Sequence, residues 1–217
     1  MEQFVDFNFR ANYFSSGPIT KDTKEVWFVL HGYGQLAKYF INKFKDISSH
    51  ERVIIAPGGL SRFYLKGFNG RVGSTWMTKE DRLLDIDNYV NYLQAVYAHV
   101  SNDFSQSHNI KITFLGFSQG GATVTRWIQR FEDDFERLIL WAGSFPHDMD
   151  IAKVGDKLKG KKVQMIRGTE DQFVNDKAKE EQQRFIDALN IEVEHITFKG
   201  EHDIDNDTLI KVANQAV

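Results

Sequence analysis

The sequence predicts an α/β fold in which a mostly parallel β-sheet lies between two layers of helices. Short apolar runs, rich in β-branched residues, recur along the chain, and longer segments with helical spacing lie between most of them. Alternating strands and helices are typical of a parallel sheet that is covered on both faces. The length of 217 residues suits one domain with a full core, so we expect a single domain over residues 1–217.

The predicted strands are short, and each ends near a glycine or a small polar residue. They occupy residues 26–30, 53–56, 110–115, 138–142, 163–166 and 191–198. Before them, the Phe-rich segment 4–14 alternates imperfectly and predicts an edge strand, antiparallel to the rest. Because ligands bind at the carboxyl ends of parallel strands, functional residues are expected in the loops that follow these strands.

The helical segments differ in length and polarity. Residues 83–100 keep apolar side chains at i, i+3, i+4 and i+7, which predicts a long amphipathic helix. Shorter helices are expected over residues 122–131, 178–189 and 208–216. The Gly-rich segment 57–76 shows neither the apolar run of a strand nor the spacing of a helix. Such long loops in compact domains are usually functional or disordered, so we expect this one to face the substrate.

Composition excludes several classes of function. The net charge is −3 and both signs are interspersed, so no basic stripe indicates a nucleic-acid partner. The chain has no cysteine, which excludes disulfides, thiolate metal sites and a cysteine nucleophile. No apolar run approaches the roughly 18 residues that span a membrane, and the N-terminus lacks the pattern of a signal peptide. We therefore expect a cytoplasmic protein that needs no metal or other cofactor.

One motif carries chemistry. Residues 116–120 read Gly-Phe-Ser-Gln-Gly, a GxSxG pentapeptide between the predicted strand 110–115 and the predicted helix 122–131. A serine on a sharp turn between strand and helix has its hydroxyl exposed above the sheet, and the flanking glycines permit the tight backbone. The motif therefore predicts Ser118 as a nucleophile.

A serine hydroxyl is a weak nucleophile and needs a base that removes its proton. His202 is the best candidate because it directly follows the last predicted strand, at the ligand-binding edge. His147, which follows the predicted strand 138–142, is its rival.

The base in turn needs a carboxylate that fixes its tautomer and stabilises the imidazolium. Asp171 follows the predicted strand 163–166 on the same edge. Glu170, next to it, and Asp148, after the preceding strand, remain alternatives. The order nucleophile, acid, base along the chain is the one expected for this sheet topology.

Negative charge on the substrate oxygen requires two backbone N–H donors. Gln119 directly follows the nucleophile and is expected to supply one. The second is expected from the Gly-rich turn after the predicted strand 26–30, where Tyr33 is the candidate. His31 lies in the same turn, and we expect it to brace the turn through hydrogen bonds rather than to catalyse.

With these residues the chain resembles α/β-hydrolases of the phospholipase/carboxylesterase group, the compact branch without a large lid domain that includes acyl-protein thioesterases. The similarity runs from about residue 26 to the C-terminus. The matching residues are Leu30-His31-Gly32-Tyr33-Gly34, Ala56-Pro57, Trp76, Gly116-Phe117-Ser118-Gln119-Gly120-Gly121-Ala122, Gly168-Thr169-Glu170-Asp171, Val174 and His202.

The resemblance implies a hydrolase that cleaves small-molecule esters or thioesters without a cofactor. It implies oxyanion donors at Tyr33 and Gln119 and a border of the acyl pocket at Trp76, and we place Val174 with Trp76 in the substrate-binding site. An acyltransferase on the same fold and a catalytically inactive binding protein remain alternatives. The Phe-rich N-terminal edge could support a homodimer.

Overall fold

A seven-stranded sheet forms the centre of the molecule. The computed structural model describes residues 1, 3–107 and 109–215. The strands are β1 (Tyr13–Ser15), β2 (Glu25–Leu30), β3 (Arg52–Pro57), β4 (Ser61–Tyr64), β5 (Val72–Thr75), β6 (Lys111–Phe117), β7 (Arg137–Trp141), β8 (Lys162–Gly168) and β9 (Glu194–Phe198). The sheet order is β1-β3-β2-β6-β7-β8-β9, and β4 pairs with β5 in a separate hairpin. Only β1 runs antiparallel to its neighbour in the large sheet.

Helices cover both faces of this sheet. They are α1 (Ala37–Phe40), α2 (Arg82–Ser101), α3 (Gln119–Ile128), α4 (Ile151–Leu158), α5 (Asp176–Leu189) and α6 (Asn206–Ala213). One apolar core joins the sheet to α2, α3, α4 and α5, and a second joins the opposite face to α1 and α6. The predicted three-layer α/β architecture is thus confirmed.

The central strands read as continuous apolar runs because both of their faces are buried. In β2, Val26, Phe28 and Leu30 pack into the first core, whereas Trp27 and Val29 pack into the second. All five side chains are fully buried. Because of this two-sided burial, the apolar run over residues 26–30 predicts the strand without an alternation of apolar and polar residues.

Helices α4, α5 and α6 each begin where a polar side chain caps them. The N-cap residues of α4, α5 and α6 each accept a hydrogen bond from a backbone N–H in the first turn; they are Asp150, Asn175 and Asp205. Such caps satisfy N–H groups that have no partner within the helix. Helix α6 begins at Asn206 and ends at Ala213, whereas the sequence predicted a helix over residues 208–216. Residue 216 lies outside the described residues.

The N-terminal edge strand is shorter than predicted. Of the segment 4–14, only Tyr13 and Phe14 belong to β1, while Phe4, Phe7 and Phe9 are exposed. Tyr13 pairs with Pro57, the last residue of β3. Residues before Tyr13 would have to pair with residues after Pro57, where the chain leaves the sheet, so they find no strand partner.

The Gly-rich segment 57–76 contains the β4–β5 hairpin rather than an irregular loop. Its pairing places Phe63 opposite Gly73. A Cβ atom at Gly73 would lie 2.4 Å from the carbonyl oxygen of Gly34, so only glycine allows the hairpin to pack this closely on the turn after β2. Ser74 also forms an isolated bridge with Gln35 in that turn.

Candidate active site

Ser118 occupies the sharp turn between β6 and α3. Strand β6 ends at Phe117 and α3 begins at Gln119, so Ser118 alone reverses the chain direction. Its φ of 54° and ψ of −118° lie where residues with a side chain are rarely found. Such strain costs about 1–3 kcal/mol and persists only where the surroundings enforce it. Here the N–H of Ser118 donates to the carbonyl of Trp141 at 3.0 Å.

The two motif glycines are required by close backbone packing. A Cβ atom at Gly116 would lie 2.3 Å from the carbonyl oxygen of Gly120. A Cβ atom at Gly120 would lie 2.2 Å from the carbonyl oxygen of Leu30 in β2. The start of α3 therefore sits directly on the sheet, which holds Ser118 at the carboxyl edge.

Three predicted residues meet at this edge. His202 Nε2 lies 2.9 Å from Ser118 Oγ, and His202 Nδ1 lies 2.7 Å from Asp171 Oδ2. Asp171 is 5% exposed, and its Oδ1 accepts a hydrogen bond from the N–H of Phe173 at 2.9 Å. A carboxylate that accepts from Nδ1–H leaves Nε2 unprotonated and facing the serine hydroxyl. This arrangement can transfer a proton from Ser118 to His202.

Backbone contacts join the loop of the acid to the loop of the base. The N–H of Thr169 donates to the carbonyl of Phe198, and the N–H of Glu170 donates to that of Gly200. A Cβ atom at Gly168 would lie only 2.2 Å from the same Gly200 carbonyl. The loops after β8 and β9 are therefore in direct contact, which fixes the distance between Asp171 and His202.

Two phenylalanines hold the His202 ring. The ring centroid of His202 lies 5.1 Å from that of Phe117 and 4.7 Å from that of Phe173. Phe173 is 64% exposed, an unusual position for a large apolar side chain. The sequence analysis did not identify Phe173, and its position next to the Asp171 loop is the only signal that could have indicated it.

The rival candidates lie in other environments. Asp148 pairs with Arg126 at 2.7 Å and with Arg82 at 2.5 Å, so its carboxylate already has two cationic partners. His147 and Glu170 are exposed. Among the described residues, neither of these two side chains forms a hydrogen bond with Ser118 or His202.

Two backbone N–H groups next to Ser118 are available to a ligand. Gln119 is the first residue of α3, where an N–H has no acceptor within the helix. The N–H of Tyr33 has no hydrogen-bond acceptor among the described residues. Tyr33 and Gln119 line the same cavity as Ser118, so both are close to the serine hydroxyl.

A buried histidine braces the turn that carries Tyr33. His31 Nδ1 donates to the carbonyl of Gly32 at 2.8 Å, and Nε2 accepts from the N–H of Gly59 at 2.9 Å. Gln35 Oε1 accepts from the N–H of Gly32 at 2.9 Å. The expectation that His31 supports the turn is confirmed by these bonds, whereas the contribution of Gln35 was not predicted.

His31 makes the stability of the protein depend on pH. Burial lowers its pKa from 6.5 to about 4, against the opposing effect of its hydrogen bond to Gly32. Because the unfolded chain binds this proton first, stability is lost as pH falls from about 6.5 to about 4. We expect wild type to lose about 3 kcal/mol more than His31→Gln between pH 7 and pH 4. Urea denaturation of both proteins across this range measures the difference, and parallel pH dependences would contradict it.

Trp76 lies beneath the same turn. It is 1% exposed, its Nε1 donates to the carbonyl of His31 at 2.9 Å, and its ring stacks on His31 at 5.0 Å. Trp76 is not among the described residues that line the cavity beside Ser118. The role of Trp76 at the border of the acyl pocket stays a prediction.

The side chain of Gln119 connects the serine turn to the end of β5. Its Oε1 accepts from the N–H of Trp76 at 3.2 Å, and its Nε2 donates to the carbonyl of Met77 at 3.0 Å. Further bonds join it to Thr75 Oγ1. These bonds fix the first turn of α3, so the Gln119 N–H is held in one direction.

A cavity of about 600 Å³ opens beside Ser118. Its walls include the apolar side chains Leu140, Met165, Ile166, Val174 and Ala178, together with the polar side chains Arg167, Lys179 and Gln182. Val174 is thus among the residues that line this cavity, and its role in substrate binding stays a prediction. The β4–β5 hairpin contributes no residue to the described lining, and it contacts the site instead through Phe63, whose ring lies 5.1 Å from that of Tyr33.

The described residues include neither a membrane-spanning helix nor a cluster of metal ligands. None of the helices in residues 1, 3–107 and 109–215 has the length and apolar character of a membrane span. Across the same residues, no three His, Cys, Asp or Glu side chains cluster as ligands for a metal ion.

The sheet order and the serine turn define an α/β-hydrolase fold. The chain belongs to the phospholipase/carboxylesterase family, because the model of that family matches residues 17–215. No curated protein sequence matches the chain significantly.

Solved structures of low sequence identity share the fold. Acyl-protein thioesterase 2 from Zea mays is 18% identical with a TM-score of 0.66, and the match covers 94% of this chain and 96% of that protein. A phospholipase/carboxylesterase from Dyadobacter fermentans is 20% identical with a TM-score of 0.65, and the coverages are 96% and 97%. The Bacillus cereus carboxylesterase is 15% identical with a TM-score of 0.66, covering 95% and 93%. At these identities the likeness shows a shared fold.

Proposed function

We propose that the protein is a serine hydrolase that cleaves carboxylic esters or thioesters of small molecules through an acyl-enzyme. The observation that carries this proposal is the hydrogen-bonded series from Ser118 through His202 to Asp171, which lies beside a cavity at the carboxyl edge of the sheet. Membership of the phospholipase/carboxylesterase family supports the same conclusion.

In the first half-reaction, His202 Nε2 accepts the proton of Ser118 Oγ while that oxygen attacks the substrate carbonyl carbon. The carbonyl oxygen becomes negatively charged, and the N–H groups of Tyr33 and Gln119 stabilise it. Asp171 keeps the imidazole in the required tautomer and stabilises the imidazolium.

The tetrahedral intermediate then collapses. The bond to the alcohol or thiol breaks, His202 donates its proton to the leaving group, and an acyl ester remains on Ser118. In the second half-reaction His202 removes a proton from water, which attacks the acyl carbon. The bond between that carbon and Ser118 Oγ then breaks, His202 returns the proton to Ser118 Oγ, and the carboxylic acid is released. The same residues serve both halves, and the mechanism requires no cofactor.

Hydrolysis of p-nitrophenyl esters with acyl chains from two to twelve carbons tests this function. We expect turnover by the wild-type protein, with an optimum chain length that reflects the cavity of about 600 Å³. A folded protein that hydrolyses no ester of this series, and none of the corresponding thioesters, would contradict the proposal. Added alcohols or amines distinguish hydrolysis from acyl transfer, because transfer yields a new ester or amide beside the free acid.

A further inference from the structure

The cavity beside Ser118 contains a cation without a partner. Arg167 is the penultimate residue of β8 and lines this cavity. Its guanidinium forms no hydrogen bond or ion pair with any described residue. Lys179 lines the same cavity but pairs with Asp176 at 2.9 Å. None of the described lining residues is an aspartate or a glutamate.

The other arginines that are at least partly buried all have partners. Arg52 pairs with Glu25, and Arg82 and Arg126 pair with Asp148. Arg137 donates to two backbone carbonyls. Removing a guanidinium from water is costly unless hydrogen bonds replace the lost hydration. Arg167 is only partly exposed and has no partner among the described residues, so a ligand in the cavity can supply one.

The positive charge of Arg167 affects a histidine in the adjacent strand. In the adjacent strand β9, burial lowers the pKa of His195, and the nearby Arg167 guanidinium lowers it further.

We propose that Arg167 binds a carboxylate carried by the ester or thioester substrate, so that it determines specificity for anionic substrates. The inference rests on the proposed function. The planar guanidinium can hold a carboxylate through two parallel hydrogen bonds, which gives both affinity and orientation. The apolar walls formed by Leu140, Met165 and Ile166 suit a hydrocarbon segment of the same substrate.

Matched substrates test the proposal. The p-nitrophenyl monoester of glutaric acid and p-nitrophenyl pentanoate have equal chain lengths, but only the first carries a carboxylate on its acyl side. Likewise 4-butyryloxybenzoate and its methyl ester differ in a carboxylate on the leaving-group side. For each pair, the ratio of kcat/KM for the anionic ester to that for the neutral ester is measured after subtraction of the spontaneous rate.

We expect Arg167→Gln to lower this ratio on the order of 10- to 100-fold for one of the two pairs. The affected pair identifies the side of the substrate that carries the anion. Arg167→Lys should retain part of the ratio, because lysine keeps the positive charge but lacks the planar guanidinium that forms two parallel hydrogen bonds. Arg184→Gln is the matched control: it removes the same charge from α5, at an exposed residue outside the cavity lining.

The wild-type protein gives a second test that needs no variant: the ratio should exceed 1 on the order of 10-fold for at least one of the two pairs. Ratios that Arg167→Gln leaves unchanged for both pairs, or wild-type ratios at or below 1 for both pairs, would overturn this proposal alone. A wild-type protein that hydrolyses neither member of any pair would overturn the proposed function and this inference with it.

Discussion

Replacing Ser118 with alanine is expected to lower kcat/KM for ester hydrolysis on the order of 10⁴-fold or more while the protein stays folded. The variant lacks the oxygen that attacks the carbonyl, and His202 has no hydroxyl to deprotonate. The Cβ atom remains, so the φ of 54° at this residue is no more strained than before. Steady-state kinetics with p-nitrophenyl butyrate and circular dichroism of both proteins measure the two parts of the prediction.

Ser144→Ala is the matched control for this variant. Ser144 also lines the cavity, yet among the described residues its hydroxyl forms no hydrogen bond with His202. We expect its loss to change kcat/KM by at most a few-fold. Near-normal activity of Ser118→Ala, or an equal loss in both variants, would contradict the role assigned to Ser118.

Replacing Asp171 with asparagine is expected to lower kcat on the order of 10²- to 10⁴-fold. Both carboxylate oxygens of Asp171 accept hydrogen bonds, one from the N–H of Phe173 and one from His202 Nδ1. An amide has only one oxygen, so its NH₂ group must face one of these two donors. The variant also lacks the negative charge that stabilises the imidazolium.

Glu170→Gln provides the comparison, since it neutralises the adjacent carboxylate, which is exposed. We expect this change to leave kcat within a few-fold of wild type. Measurement of kcat and of circular dichroism for both variants separates loss of catalysis from loss of folding. If Glu170→Gln lost as much activity as Asp171→Asn, the assignment of Asp171 as the carboxylate that orients His202 would be contradicted.

The sequence predicted the central parallel strands well because they are buried on both faces. The predicted strand 26–30 differs from β2 by one residue, since every side chain from Val26 to Leu30 must be apolar to pack between helices. Once these strands are placed in a parallel sheet, their carboxyl ends meet at one edge. Ser118, Asp171 and His202 could therefore be brought together from loop positions alone.

Features that depend on tertiary contacts could not be predicted in the same way. The β4–β5 hairpin forms short strands whose packing depends on the contact of Gly73 with Gly34. The stacking of Trp76 on His31, beneath the turn that carries Tyr33, is likewise a tertiary contact that the sequence did not predict. Among the described residues Arg167 has no partner. This depends on the distances between its guanidinium and other side chains in the folded protein, which no sequence pattern expresses.

Labelling with a fluorophosphonate probe, followed by mass spectrometry of the peptides, tests the central claim most directly. The probe phosphonylates a serine whose hydroxyl is activated by a base, as His202 is proposed to activate Ser118. The account predicts one equivalent of label on Ser118 in the wild-type protein, none in Ser118→Ala, and much slower labelling in His202→Ala. A folded wild-type protein that takes up no label, or takes it up at another residue, would contradict the account.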